Sequence, residues 1–258
     1  MNAESTNQQL FVDNIGDGEP ILLVHGLGGT ANCWRPLVND LCDDYQLIVP
    51  ELPCSARSPN TDNLSIESIA GHLWGLLDSL DISQVRLIGH SMGTIVCQYM
   101  AAARPKDVIS MVLLGPLAEP PEPARGALRD RAELARQSGM RGISDIIADV
   151  ALSKKTKREN GNVQGFVRES LIGQDPEGYA RSCEALSNAE AVDASLLSMP
   201  ACLITGDEDV VAPPANVEKL HQALPSSENH VLDNCGHWTL NERPNTVSKL
   251  VRSFISKN

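Results

Sequence analysis

The apolar run Val85-Arg86-Leu87-Ile88 passes into a helical pattern at 92–103 across only Gly89, His90 and Ser91. With Met92 and Gly93 these residues spell G-x-S-x-G. A strand that turns into a helix in so few residues strains its central residue and needs small neighbours, so that strand and helix can approach. The turn also leaves the Ser91 hydroxyl at a helix N-terminus, where the dipole favours developing negative charge. An ordinary capping serine behind a glycine turn is the alternative.

The same order of strand and helix extends along the chain. Residues 21–24, 47–49, 85–88, 108–114 and 201–205 are short apolar runs, and 228–232 is a weaker one. Continuous runs, rather than strict alternation, suit parallel strands covered on both faces. Between them, Ser65 can cap a helix at 66–80 with Ile66, Ile69, Leu73, Leu76, Leu77 and Leu80 on one face. A last helix at about 245–256 turns Val247, Leu250, Val251 and Phe254 inward. This alternation predicts an α/β fold with a mostly parallel, doubly wound sheet. From 116 to 194 no strand is apparent. Pro120, Pro121 and Pro123 mark a linker, followed by charged helical segments at 124–137, 143–152, 163–172 and 177–188. The expected organisation is a core domain of residues 1–116 and 195–258 with a helical insertion, 117–194, placed before the late strands. Two crossover helices with a long loop are the alternative, disfavoured because structureless loops of that length are uncommon.

Composition narrows the function. The chain has 258 residues, 42% hydrophobic and 21% charged, ordinary for one large soluble domain. No apolar run approaches the roughly 18 residues of a membrane span. The polar first ten residues lack the features of a signal peptide, so a cytoplasmic location is expected. A formal net charge of -12 repels phosphate backbones and anionic lipid, which argues against nucleic-acid and membrane partners. Seven cysteines, an odd number without C-x-x-C, suggest reduced thiols rather than a disulfide framework or a metal site.

A nucleophilic serine needs a base, and among six histidines His237 is the best placed. It follows Gly236, comes just after the weak strand and precedes the last helix, late in the chain. His25 and His90 belong to backbone motifs, His72 and His221 to helices, and His230 to the final strand. The base needs a carboxylate that fixes its tautomer. Asp207, Glu208 and Asp209 compete in the loop after 201–205. Asp209 lies furthest beyond the strand, while the other two suit a turn or solvent, and Asp233 is only four residues from His237. Two backbone N–H donors are needed for a developing oxyanion. Met92, after the serine, supplies one; Leu27, in the loop His25-Gly26-Leu27-Gly28-Gly29 behind 21–24, supplies the other. A structural glycine turn is the alternative there, and no phosphate-binding pattern is present.

In this order, His-Gly, Gly-His-Ser-Met-Gly, G-x-x-D-x-x-x-P-P and a late Gly-His, the motifs resemble the α/β-hydrolase superfamily over nearly the whole chain. Within it the chain is most similar to 3-oxoadipate enol-lactonases and related small esterases. The matching pieces are residues 23–29 with Trp34, residues 87–93, and residues 204–209 with Pro213 and Pro214. The resemblance implies Ser91 as nucleophile, Asp209 as acid, His237 as base and a helical cap at the insertion. One segment departs from it: relatives usually read D-x-x-G-x-G-x-S after the second strand, and here Glu51, Cys54 and Ala56 stand in place of the acid and both glycines. A different backbone path is expected in that loop.

The expected activity is hydrolysis of a small carboxylic ester or lactone, with no metal or organic cofactor. Carbon–carbon bond hydrolysis or perhydrolysis on the same triad is a second reading, and a ligand-binding or receptor-like protein with little turnover a third. Gly26, Trp34 and Trp238 are candidate pocket residues, with ordinary buried aromatics as the alternative for the tryptophans. A substrate carboxylate would want a cation, for which Arg57, Arg125, Arg129 and Arg136 are candidates. No exposed apolar lid is read from the insertion, and no feature selects an oligomeric state.

Overall fold

A computed structural model describes residues 9–258. Seven strands form one sheet: β1 (Val12–Ile15), β2 (Glu19–Val24), β3 (Tyr45–Pro50), β4 (Val85–His90), β5 (Val108–Leu114), β6 (Ala201–Gly206) and β7 (Ser227–Leu232). Their order across the sheet is β1-β3-β2-β4-β5-β6-β7. Only β1 runs antiparallel, against β3; every other pairing is parallel. The expected mostly parallel, doubly wound sheet is thus present. Strand β1 was not apparent in the sequence, because Val12-Asp13-Asn14-Ile15 sits on an antiparallel edge and has no apolar run.

The sheet is covered by α1 (Arg35–Leu41), α2 (Ile66–Ser79), α3 (Met92–Ala103), α9 (Pro214–Ala223), α10 (Thr239–Glu242) and α11 (Pro244–Ile255). Between β5 and β6 stand five helices: α4 (Glu122–Ser138), α5 (Arg141–Val150), α6 (Lys154–Glu159), α7 (Gly161–Ile172) and α8 (Pro176–Ser187). Helix α2 begins at Ser65, whose hydroxyl accepts the Ser68 N–H at 3.0 Å. All six residues of β4 are buried, Arg86 and His90 included, which is why the strand does not alternate apolar with exposed polar residues. Helix α3 approaches this layer so closely that a Cβ on Gly93 would lie 2.1 Å from the Val24 carbonyl oxygen, so only glycine fits there. Among the described residues no helix is long and apolar enough to cross a membrane. All seven cysteines are free and six are buried; burial pushes the thiols of Cys97, Cys202 and Cys235 up.

The loop after β3 resolves the departure at Cys54 and Ala56. Both adopt positive φ, 62° and 49° respectively. The left-handed turns that glycine would make are therefore made by L-residues, at roughly 1–2 kcal/mol each. The loop is tied down locally and from a distance. Ser58 Oγ donates to the Glu51 carbonyl at 2.6 Å, Arg57 forks onto the Glu51 carboxylate, and the Ala56 N–H donates to Gln174 Oε1 at 3.0 Å. Gln174 in turn donates to the carbonyls of Gly28 and Gly29, joining this loop to the glycine-rich loop behind β2. Because Ala56 holds its strained φ without a side-chain bond, Ala56→Gly is expected to raise unfolding free energy by about 0.5–1 kcal/mol in urea titrations, and Ala56→Val to lower it.

Candidate active site

Ser91 occupies the connection between β4 and α3 at φ 53° and ψ −120°. Its N–H donates to the Leu114 carbonyl at 2.9 Å, and its carbonyl accepts the Thr94 N–H and hydroxyl at 2.8 and 2.6 Å. Thr94 Oγ1 also accepts the Leu117 N–H at 3.1 Å, and Gln98 donates to the Leu117 carbonyl at 2.7 Å. The strained turn is thereby fixed to the segment that leaves β5. Gly26 lies directly against it, since a Cβ there would come within 2.9 Å of Ser91 Cβ.

His237 and Asp209 come together 28 residues apart. Nδ1–H of His237 donates to Asp209 Oδ2 at 2.8 Å, with both side chains buried. The other carboxylate oxygen accepts the N–H groups of Val211 and Ala212 at 2.8 and 2.7 Å, and Thr205 Oγ1 donates to Oδ2 at 3.3 Å. Burial alone would push the Asp209 carboxyl up. The His237 charge and hydrogen bond, with the Ala212 and Val211 N–H groups, outweigh it and hold the carboxyl below the ordinary range. Of the competing acids, Asp207 accepts the Cys235 N–H and Glu208 the Lys154 N–H. Gly115, at φ +57°, backs the pair: a Cβ there would lie 2.9 Å from the His237 ring. Because Nδ1 carries the proton toward Asp209, Nε2 is left with a lone pair, buried and without a hydrogen-bond partner. His237 and Ser91 line the same cavity. The Ser91 hydroxyl makes no hydrogen bond to Nε2.

The two motif histidines are bonded to backbone groups, and His90 also lines the cavity. His25 Nδ1–H donates to the Gly26 carbonyl at 2.8 Å, and Nε2 accepts the Leu52 N–H at 3.0 Å. His90 Nε2–H donates to the His237 carbonyl at 2.9 Å, and its ring lies 5.0 Å from that of His237. Burial, reinforced by the His237 charge, holds His90 down at about 3; burial likewise lowers His25.

The cavity has a volume of about 330 Å³, within the range of small-molecule sites. Leu27 and Trp238 line it, and neither the Leu27 nor the Met92 N–H has an acceptor among the described residues. Trp238 stacks at a tilt on His90 and meets Phe166 edge-on. Trp34 is a correction to the expected pocket. It ends a buried 3-10 turn, Ala31–Trp34, inside the core and is not part of the cavity wall. Gly26 touches Ser91 from behind and does not line the cavity either. Nor do the expected arginines. Arg57 pairs with Glu51, Arg125 with Glu119 and Arg136 with Glu177 and Glu184, while Arg129 is exposed on α4. The arginine that does line it is Arg131, beside the buried Tyr179 hydroxyl. It was legible as the next member of the stripe Ala124, Ala127, Leu128 on one face of α4. At the mouth, Val150, Val210 and Val211 form an exposed apolar rim that the sequence reading did not foresee.

Residues 19–244 match the family model described as the alpha/beta hydrolase fold. This chain belongs to that family. It is 26% identical, over 94% of its length and 91% of the relative, to a 2-hydroxy-6-oxo-2,4-heptadienoate hydrolase of Pseudomonas putida. Among solved structures, an enol-lactonase from Burkholderia xenovorans aligns with a TM-score of 0.92 at 25% identity, covering 98% of this chain and 99% of that one. A thermophilic esterase from Thermogutta terrifontis, with malate bound, aligns with a TM-score of 0.92 at 27% identity, covering 96% and 93%.

The buried neutral histidines make a pH prediction. Their folded pKa values lie below the unfolded value of about 6.5, so their contribution is complete above pH ~6.5 and is lost as pH falls toward the folded values. With its folded value at about 3, His90 should remove up to ~1.4 kcal/mol of stability per pH unit as pH falls from about 6 to 5, and His25 acts in the same direction. His90→Gln, which keeps an N–H donor, is expected to flatten the pH dependence by up to that ~1.4 kcal/mol per unit in urea denaturation followed against pH.

Proposed function

We propose that this α/β hydrolase is a serine hydrolase that cleaves a small carboxylic ester or lactone through an acyl-enzyme. One observation carries the reading: His237, bonded through Nδ1 to the buried Asp209 and with its Nε2 unpartnered, lines the same cavity as Ser91. His237 takes the Ser91 proton at Nε2 as Oγ attacks the substrate carbonyl. The Leu27 and Met92 N–H groups receive the oxyanion. The protonated His237 then gives its proton to the departing oxygen as the carbon–oxygen bond breaks. Water, deprotonated by His237, attacks the acyl-enzyme, and the acid leaves as Ser91 regains its proton. Asp209 keeps Nδ1 protonated and stabilises the imidazolium throughout. The chemistry calls for no metal or organic cofactor.

Helices α4–α8 act as the cap, residues 117–194, over a core of 1–116 and 195–258, and supply most of the apolar wall that excludes water. Arg131 offers the substrate a fixed cation in that wall. Similarity to an esterase and an enol-lactonase at 27% and 25% identity supports ester or lactone chemistry. A second reading, carbon–carbon bond hydrolysis on the same triad, draws support from the Pseudomonas putida relative. Perhydrolysis, or ligand binding with little turnover, has no feature of its own in its favour. The substrate is a small molecule, and the expected setting is the cytoplasm.

A fluorophosphonate probe tests the reading. Folded protein is expected to label to one equivalent per chain, with the adduct mapped to Ser91 by peptide mass spectrometry, and to lose labelling in Ser91→Ala and His237→Ala. Failure of the folded wild-type protein to label would move ligand binding without turnover to the front. An ester, lactone and vinylogous 1,5-diketone panel then separates the two hydrolytic readings.

A further inference from the structure

Helix α10 places the carboxylate of Glu242 beneath the loop that carries His237, where it is 5% exposed. Oε1 accepts the Gly236 N–H at 2.9 Å. Oε2 accepts the Ser153 N–H at 2.9 Å. One donor immediately precedes the base in the chain. The other lies 89 residues away, just past the end of α5. A third bond closes the arrangement: the His237 N–H donates to the Ala151 carbonyl at 2.9 Å. Ala151, Val150 and Ile147 are part of the cavity wall.

These contacts have a directional consequence. A carboxylate that accepts through both oxygens fixes the spacing and the relative orientation of its two donors. Leaving either N–H buried and unpaired costs about 1–3 kcal/mol. The His237 ring is oriented at Nδ1 by Asp209, but its backbone position is set by the loop, and the loop is bonded to the insertion.

We infer that Glu242 is a positioning residue that clamps the His237 loop to residues 151–153, of which Ala151 lines the cavity, holding base and wall as one unit. Glu242 touches neither Ser91 nor the cavity and acts only through His237. Its effect on rate rests on the serine-hydrolase reading. Glutamine at this position keeps the size but retains a single acceptor oxygen, and turns an amide NH2 toward one of the two N–H donors. One end of the clamp is lost and a donor faces a donor.

The test compares wild type with Glu242→Gln by active-site titration with a fluorophosphonate, and by hydrogen exchange at the Gly236 and Ser153 amides. Both proteins are expected to reach one label per chain. The second-order labelling rate of Glu242→Gln is expected to fall at least tenfold, and exchange at both amides to quicken. Since the rate is taken per labelled site, loss of folded protein does not mimic the effect. A per-site rate within twofold of wild type would overturn the inference, however much stability the variant loses. Should Glu242→Gln not fold, Ser153→Pro removes the second donor at a φ of −64° that suits proline, and is held to the same criterion. Should wild type not label, the hydrolase reading fails; unchanged exchange at Gly236 and Ser153 in Glu242→Gln would then reject the clamp separately.

Discussion

A serine backbone held at φ 53° and ψ −120° costs on the order of 1–3 kcal/mol and persists only where its surroundings over-determine it. Here they do. The Ser91 N–H is bonded to β5, its carbonyl to Thr94, and α3 is pressed against the Val24 carbonyl at Gly93. Burial of β4 on both faces supplies the stability that tolerates the turn. The turn leaves Ser91 on the cavity wall, and the Met92 and Leu27 N–H groups have no acceptor among the described residues.

The groups around Ser91 reach it from separated parts of the chain, and a network of bonds to backbone atoms holds them in relation. Gln174 and Ser170, from the insertion, bond the carbonyls of the glycine-rich loop on one side. Glu242 and the His237 N–H bond the insertion on the other. His90, next to the serine in sequence, donates to the His237 carbonyl and so ties the Ser91 turn to the His237 loop. The helical insertion is thus fastened at both flanks of the site, and the apolar rim of Val150, Val210 and Val211 marks its mouth.

What the sequence disclosed follows from how each residue acts. The Asp209–His237 pair and the cavity shared by Ser91 and His237 were within reach of the sequence because all three residues lie in loops just past strand ends, and strand ends announce themselves. Strand β1 and helix α6 were not. Val12-Asp13-Asn14-Ile15 is a polar edge, and Lys154–Glu159 has no apolar period, being held by the Ser153 cap and the Glu208 contact at Lys154. Cys54 and Ala56 keep the positive φ that their identities disfavour, in a loop held by the Ala56 N–H bond to Gln174 and the Ser58 bond to the Glu51 carbonyl. Trp34 was misplaced since proximity in sequence to a motif loop does not distinguish the cavity side of that loop from the core side. Glu242 left no trace at all: a carboxylate serving backbone N–H groups has no partner motif to read.

The most direct measurement is rapid-quench mass spectrometry of the protein mixed with a p-nitrophenyl ester of a slowly hydrolysed acid. The account expects a burst of one equivalent of nitrophenolate matched by one acyl group, located on Ser91, which then decays at the steady-state rate. Steady turnover with no covalent species, or an acyl group on any other residue, would contradict it.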